Sequence, residues 1–165
     1  MSSTEDFAKL AVDLVRLSAL ITAKSDVNRQ DNWNQTLLHF AALNGNDSAV
    51  QMLVDAKAYL DVKDHMDETP MHLAAHRGHS KTVQILLDAK SSAHLQSHKN
   101  LTPLHIAARD NHVAVIQVLI DSRATIDAKG PHHRTPLHYA ANYGRSAAVQ
   151  TLLTAKATVN AVDSL

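Results

Sequence analysis

A four-residue phrase recurs in this chain every 33 residues, and this period constrains the fold more than any other feature. The phrase begins at Thr36, Thr69, Thr102 and Thr135, and it reads Thr-Leu-Leu-His, Thr-Pro-Met-His and, twice, Thr-Pro-Leu-His. Each copy continues into a pair of alanines two residues after its histidine. A fixed period of about 20–50 residues is typical of stacked units that bury their apolar faces only against neighbours. The sequence therefore predicts a solenoid, whose function lies on a surface that repetition builds.

The composition limits both the fold and the partners. Aromatic residues make up only 4% of the 165 residues, and the small and aliphatic residues that dominate the apolar part favour closely packed helices. The 16 basic and 16 acidic residues give a formal net charge of zero, which argues against a general binder of nucleic acid or of anionic membranes. There is no cysteine, no apolar leader and no run of about 18 apolar residues. We therefore expect a cytoplasmic protein that does not enter a membrane.

The segment from Asp64 to Gln96 shows how one unit is expected to fold. Thr69 is suited to cap a helix and Pro70 to begin it, so we predict a first helix over 71–76 that ends near Gly78. A second helix is predicted over about 80–89. Residues that tolerate left-handed geometry recur in each unit. They are Asn34, Asp67, Asn100 and His133 in the turn, and Gly45, Gly78, Asn111 and Gly144 after the first helix.

These motifs resemble the ankyrin repeat family. The hallmark Thr-Pro-Leu-His-x-Ala-Ala is followed by Gly78-His79 and by the second-helix pattern Val-x-x-Leu-Leu, which is found at Val83 and Val149. The resemblance covers residues 31–162, and four copies in phase are a specific signal. It implies an all-α repeat solenoid of about five units, each built as a turn or β-hairpin, a helix, a loop and a second helix.

We predict a single domain over 1–165. A degenerate capping unit at 1–30 precedes full repeats at 31–63, 64–96, 97–129 and 130–162, and 163–165 opens a further repeat. The segment 4–23 lacks the repeat phrase and a glycine stop, and we interpret it as one long amphipathic helix. In the last full repeat Val149, Leu152 and Leu153 keep the apolar pattern of an internal unit. We therefore expect the C-terminal end to pack on further repeats or to self-associate.

One position departs from the family pattern in every unit. Ankyrin repeats usually carry glycine after the second helix, whereas this chain has a cation there: Lys24, Lys57, Lys90, Arg123 and Lys156. A Cβ in left-handed geometry costs about 1–2 kcal/mol. Either the loop adopts another conformation, or a cation at a helix C-terminus offsets part of the cost.

Twelve histidines raise the question of metal binding or catalysis. In the family, the histidine of the repeat phrase forms hydrogen bonds within and between units, which assigns His39, His72, His105 and His138 to the scaffold. His72 and His76 have the spacing of a zinc pair on a helix, but they lack an intervening glutamate and a third ligand. No nucleophile elbow, phosphate-binding loop or pair of catalytic carboxylates is present. We predict that the chain is not an enzyme and needs neither a metal nor a cofactor.

The resemblance places the binding surface along the turn tips and the exposed side of the first helices, which together form a concave groove. The positions that fall there are Asn32, Trp33, Gln35, Leu43, Asn44, His65, Met66, Glu68, His76, Arg77, His98, Lys99, Leu101, Arg109, Asp110, Pro131, His132, Arg134, Asn142 and Tyr143.

The content of this groove indicates the kind of partner. It includes the only tryptophan, and Trp, Tyr and Arg are enriched at binding hot spots. Four cations outnumber two acids at these positions, namely Arg77, Lys99, Arg109 and Arg134 against Glu68 and Asp110. We expect a protein partner with an acidic and partly apolar face. The alternatives are a groove that binds an anionic small molecule or nucleic acid, and an artificial or purely structural scaffold on which Trp33 is merely exposed.

Overall fold

The computed structural model of the chain describes residues 4–164. Met1–Ser3 of the expected capping unit and Leu165 of the expected further repeat lie outside the described residues. The described part contains ten α-helices: α1 (Thr4–Val12), α2 (Leu14–Thr22), α3 (Leu37–Leu43), α4 (Asp47–Asp55), α5 (Pro70–Arg77), α6 (Ser80–Asp88), α7 (Pro103–Asp110), α8 (Val113–Asp121), α9 (Pro136–Asn142) and α10 (Ser146–Thr154).

The helices form two layers that follow the period of the sequence. The first helices of successive units, α1, α3, α5, α7 and α9, pack side by side, and the second helices α2, α4, α6, α8 and α10 form the other layer. One apolar core runs between the layers from Leu10 to Ala157. This arrangement confirms the predicted all-α repeat solenoid.

The repeat phrase starts each first helix as predicted. In the second repeat, the backbone N–H of Thr69 donates to Nδ1 of His72 at 3.1 Å, and Pro70 occupies the first turn of α5. The same bond joins Thr36 to His39, Thr102 to His105 and Thr135 to His138. The histidine thus satisfies a helix-terminal N–H that would otherwise lack a partner.

The stops and turns adopt left-handed geometry where the sequence predicts it. Gly78 and Asn111 end α5 and α7 with φ of 77° and 64°. The predicted turn residues also have positive φ, at Asn34, Asp67, Asn100 and His133. His132 has a positive φ of 55° as well, which the sequence did not indicate.

The cations after the second helices have the left-handed backbone conformation. This excludes the alternative that the loop adopts another conformation. Their φ angles range from 53° at Lys24 to 75° at Lys90. Hydrogen bonds close the loop after each second helix. After α4, for example, the N–H of Lys57 donates to Val54 O at 3.0 Å and that of Ala58 to Leu53 O at 2.9 Å. These bonds satisfy helix-terminal carbonyls and support a backbone conformation that would favour glycine.

The prediction of one long N-terminal helix is wrong. The chain breaks at Asp13 into α1 and α2, because Asp13 adopts an extended conformation and its carboxylate accepts a hydrogen bond from Arg16 N at 3.1 Å. The two helices pack on α3 and α4 as a helix pair. Asn46 reaches back to this unit, and its side-chain amide donates to Ala11 O at 3.2 Å.

Each repeat begins with a tip, by which we mean residues 31–35, 64–68, 97–101 and 130–134. The tips are hydrogen-bonded turns rather than β-hairpins, since no residue from 4 to 164 lies in a β-strand. In the fourth tip, Pro131–His133 forms a turn in which both His132 and His133 have positive φ. None of the helices between residues 4 and 164 is long and apolar enough to cross a bilayer.

Candidate functional site: the concave groove

The four tips share one backbone frame that holds the outer edge of the groove. In each tip the first residue donates its N–H to the carbonyl of the fifth, at 2.9 Å between Asp31 and Gln35 and at 2.8 Å between Gly130 and Arg134. A second bond, from the fourth residue to the first, closes the turn in every tip. Side chains along the groove therefore differ from tip to tip on a shared hydrogen-bonded turn, from which the backbone of His132 departs.

The side-chain support of the tips differs between the two halves of the groove. The buried carboxylate of Asp64 accepts hydrogen bonds from the N–H groups of Met66 and Glu68 at 2.8 and 3.0 Å. Asp31 supports the first tip in the same way. The equivalent residues of the third and fourth tips are Ser97 and Gly130, and neither makes such a side-chain bond within the described residues.

Neighbouring tips are joined by one backbone hydrogen bond at two of their three boundaries, and Ser164, after the last repeat, makes the equivalent bond to the fourth tip. His65 N donates to Trp33 O at 3.0 Å, His98 N to Met66 O at 2.9 Å, and Ser164 N to His132 O at 2.9 Å. The equivalent donor toward Lys99 O would be residue 131, which is proline and has no N–H. The third and fourth tips therefore lack the bond that joins the others.

The structure places most of the predicted groove residues at the surface. Those that are exposed are Asn32, Trp33, Asn44, His65, His76, Arg77, His98, Lys99, His132, Asn142 and Tyr143. Those that are half-buried are Gln35, Leu43, Met66, Glu68, Arg109, Asp110, Pro131 and Arg134.

Leu101 is the clear correction. Its side chain was expected to be exposed, but it is only 5% accessible. Its carbonyl accepts a hydrogen bond from Nε2 of His72 at 3.0 Å, which holds the fifth tip residue against the preceding first helix. Leu101 thus contributes to the floor of the groove rather than to its exposed edge.

Arg109 is committed to a network within the protein. Its Nε and Nη2 donate to the two carboxylate oxygens of Asp110 at 2.7 and 2.8 Å, and Nδ1 of His76 lies 2.7 Å from the same carboxylate. Burial raises the pKa of Asp110, but the bonds and charges of Arg109 and His76 outweigh it, so the pKa is lowered overall. The hydrogen bond to Asp110 raises the pKa of Arg109.

The remaining charges of the groove leave two free cations in the described residues. Arg134 pairs with Asp163 at 3.2 Å, an acid that the sequence-based charge count did not include. Arg77 and Lys99 are exposed and make no ion pair within residues 4–164. Glu68 is half-buried, and both burial and the nearby charge of Asp64 raise its pKa. The positive excess predicted for the groove is therefore smaller than the sequence count, and it is concentrated at Arg77 and Lys99.

A cleft of about 480 Å³ opens in the groove between the third and fourth repeats. Six of the predicted groove positions line this cleft: His98, Lys99, Leu101, Arg109, Pro131 and Tyr143. Asn100 and Tyr139 also line it, and neither was among the predicted groove positions. Tyr139 was missed because its equivalents Phe40, Leu73 and Ile106 are buried. The spacing of Tyr139 and Tyr143, four residues apart at the end of α9, is the signal that could have found it.

The opposite half of the groove carries Trp33. Its side chain is 52% exposed and its ring lies 4.8 Å from the ring of His65 in the next tip. The tryptophan is thus held against its neighbour while one face stays accessible. The remaining large exposed side chains of the described chain include Tyr59, which lies after α4 and outside the groove positions.

The histidines of the repeat phrase join neighbouring repeats as the resemblance implied. Because Nδ1 accepts from a threonine N–H, Nε2 carries the proton and donates to a carbonyl of the next tip. The acceptors are Glu68 O for His39, Leu101 O for His72 and Arg134 O for His105. Burial lowers the pKa of His72 and His105 to about 4, which keeps both rings neutral near pH 7.

The post-glycine position forms a second series of links. His79 contacts Leu43 O at 3.2 Å and His112 contacts His76 O at 3.0 Å. Arg145 continues the series with a bond to Arg109 O at 2.8 Å. His79 and His112 are therefore scaffold residues, as predicted.

The structure shows why His72 and His76 do not form a metal pair. Both nitrogens of His72 are engaged in buried hydrogen bonds, whereas His76 is exposed and contacts Asp110. Within the described part of the chain, no group of three potential ligands is placed to hold a metal ion.

Comparison with known families agrees with this architecture. A family model described as ankyrin repeats (3 copies) matches residues 10–97 and again residues 89–163. The chain therefore belongs to the ankyrin repeat family, whose members are generally protein–protein interaction modules. No curated protein matches the chain in sequence.

Proposed function

We propose that the chain is a non-enzymatic protein-binding module whose partner lies in the concave groove. The observation that carries this proposal is the separation of two kinds of residue. The repeat-phrase histidines His39, His72 and His105 are buried and bonded to the next unit, whereas residues that break the period, such as Trp33, Lys99 and Tyr143, are exposed along one surface. A cytoplasmic setting remains a prediction from the cysteine-free composition.

The groove chemistry favours a partner that is acidic and partly apolar. Arg77 and Lys99 supply positive charge and form no ion pair within residues 4–164, although Glu68 is close enough to feel the charge of Lys99. Trp33 and Tyr143 supply large exposed apolar surface. Exposed aromatic side chains beside cations are typical of binding hot spots.

The experiment is a selection of binders from a displayed random-peptide library on the immobilised chain, followed by affinity measurements against variants. We expect Trp33→Ala to weaken most binders by about tenfold or more, as for a hot-spot aromatic residue. Tyr59→Ala is the matched control, because Tyr59 is an exposed aromatic residue outside the groove. Arg77→Ala is paired with Arg123→Ala, which removes an exposed cation after a second helix.

Binders that lose affinity for the control variants but not for the groove variants would contradict the proposal. A steep loss of affinity with salt, measured with a single-stranded oligonucleotide or a polyphosphate as the probe, would support the anionic-ligand alternative instead. If no groove substitution changes the affinity of any binder, the result would support the alternative of a purely structural scaffold.

We also propose, on the same footing, that the C-terminal face of the last repeat is a surface for self-association. Leu137, His138, Ala141, Val149, Leu153 and Val159 line a cleft of about 260 Å³ there. Sedimentation velocity tests self-association through this face. Concentration-dependent dimers that Leu153→Glu abolishes are expected, and a monomer at all concentrations counts against it.

A further inference from the structure

The boundary between the third and fourth tips carries a backbone acceptor that its equivalents do not offer. The carbonyls of Trp33, Met66 and His132 each accept an N–H from the following tip. The carbonyl of Lys99 accepts none within residues 4–164, because Pro131 occupies the donor position. The 480 Å³ cleft of the groove opens at this same boundary.

The side chains that line this cleft combine one cation that forms no ion pair within residues 4–164 with apolar and aromatic surface. Lys99 is exposed and makes no ion pair in the described chain, while Arg109 is already bound to Asp110. Tyr139 on α9 and Tyr143 just after it line one side of the cleft. The rest of the lining includes Pro131, the buried Leu101, His98 and Asn100. A volume of this size lies within the range of about 300–1,000 Å³ that is typical of ligand sites.

We propose that this cleft binds an extended segment of a partner protein, whose backbone N–H donates to the carbonyl of Lys99 and whose Asp or Glu side chain pairs with the Lys99 ammonium group. The apolar part of the segment lies against Tyr139 and Tyr143. This inference rests on the proposed binding through the groove and names the part of it that receives an acidic side chain. An extended segment adds its amide donor to an exposed acceptor in the same way that a strand adds to a sheet edge.

The charges favour a protein carboxylate over nucleic acid. A phosphate chain needs several uncompensated cations. Here Asp110 neutralises Arg109, and Glu68 lies in the neighbouring tip close enough to feel the charge of Lys99. A single carboxylate on a partly apolar segment matches one free ammonium group beside two tyrosines.

The test uses peptides selected from the displayed random library on the full chain, and their affinity for matched pairs of variants. Lys99→Met removes the charge and keeps the aliphatic stem, and we expect at least a tenfold loss for peptides that contain Asp or Glu, as for a charge-assisted hydrogen bond. Lys90→Met makes the same change at an exposed site after a second helix and should leave affinity within about twofold.

A second pair of measurements tests the backbone acceptor. Pro131→Ala restores an N–H that can bond to Lys99 O within the protein, so the same peptides should bind about fivefold more weakly, the effect of one net hydrogen bond. Replacing one peptide amide at a time by an ester, which removes a single N–H, should weaken binding to the wild type by a similar factor at one position. At that position the ester should cost nothing on Pro131→Ala.

The outcomes separate this inference from the groove proposal. If peptides lose affinity for Trp33→Ala but not for Lys99→Met or Pro131→Ala, the inference about the cleft is overturned and the groove proposal stands. Peptides that respond to neither set would overturn both. A single-stranded oligonucleotide that binds and loses affinity on Lys99→Met would assign the cleft to phosphate and overturn the inference.

Discussion

The first two tips and the last two stand on the same layer of helices but are held differently. In the first half of the groove, Asp31 and Asp64 tie the tip backbone through buried carboxylates, and the tips are bonded to each other. In the second half, Ser97 and Gly130 replace the aspartates, and Pro131 removes the bond between tips. The 33-residue period thus specifies a uniform layer of helices. The residues that depart from the period concentrate at the third and fourth tips, where the cleft opens.

The largest expected effect concerns pH and should be the same in both halves. Well above pH 6.5, His72 and His105 are neutral whether the chain is folded or not. Below it the unfolded chain takes up protons that His72 and His105, with pKa values of about 4, do not accept in the folded state. The free energy of unfolding should therefore fall between pH 6.5 and 4, by roughly 3 kcal/mol for each histidine.

Chemical denaturation at several pH values measures this slope. His72→Gln and His105→Gln should each remove a similar share of the slope. A stability that does not change between pH 7 and pH 5 would contradict the neutral, buried state of the two rings.

Replacing one histidine of the repeat phrase should lower the free energy of unfolding by a similar amount in either half of the molecule. His72→Ala leaves the N–H of Thr69 without its ring acceptor, removes one of the two hydrogen bonds to the carbonyl of Leu101 and opens a cavity, so we expect a loss of about 3 kcal/mol in the free energy of unfolding. His105→Ala should cost about the same, since it makes the equivalent bonds to Thr102 and Arg134. If the two losses in unfolding free energy differ by more than about 1.5 kcal/mol, the two histidines do not play the same structural role in both halves of the molecule.

The tips should respond unequally to the loss of their first side chain. Asp64→Ala removes the acceptor of two backbone N–H groups and of Gln35, and should cost about 2 kcal/mol. Ser97→Ala, the matched change in the third tip, removes no hydrogen bond to its own tip and should cost less than about 0.5 kcal/mol. Urea denaturation of Asp64→Ala and Ser97→Ala measures both losses in unfolding free energy. Equal losses would contradict the claim that the two halves of the groove are held differently.

The smallest expected effect is that of Pro131→Ala. The restored bond to Lys99 O would stabilise the fold by about 1 kcal/mol, and the greater freedom of the unfolded chain offsets about as much. The midpoint in urea should shift little, and hydrogen exchange at residue 131 should show a protected amide. An unprotected amide there would mean that the tips are held apart by something other than the missing N–H.

The sequence predicted the scaffold because each part depends on residues close together in one unit. Thr69, Pro70 and Gly78 act within a single helix, so a period in the chain is enough to place them. Leu101 and Tyr139 were misplaced or missed because their exposure depends on the neighbouring repeat. The break at Asp13 required knowing that its backbone is extended. The cleft depends on a bond that Pro131 cannot make to a residue 32 positions earlier, which no local pattern records.

The proposal that the concave groove is the binding surface is tested most directly by hydrogen–deuterium exchange of the chain with and without the tightest selected peptide. The account predicts slower exchange in the tips and first helices, in the first tip around Trp33 (residues 31–35) as well as over residues 97–110 and 130–143, and no change in α8 and α10. Protection of α8 and α10 with unchanged exchange at the tips would contradict it.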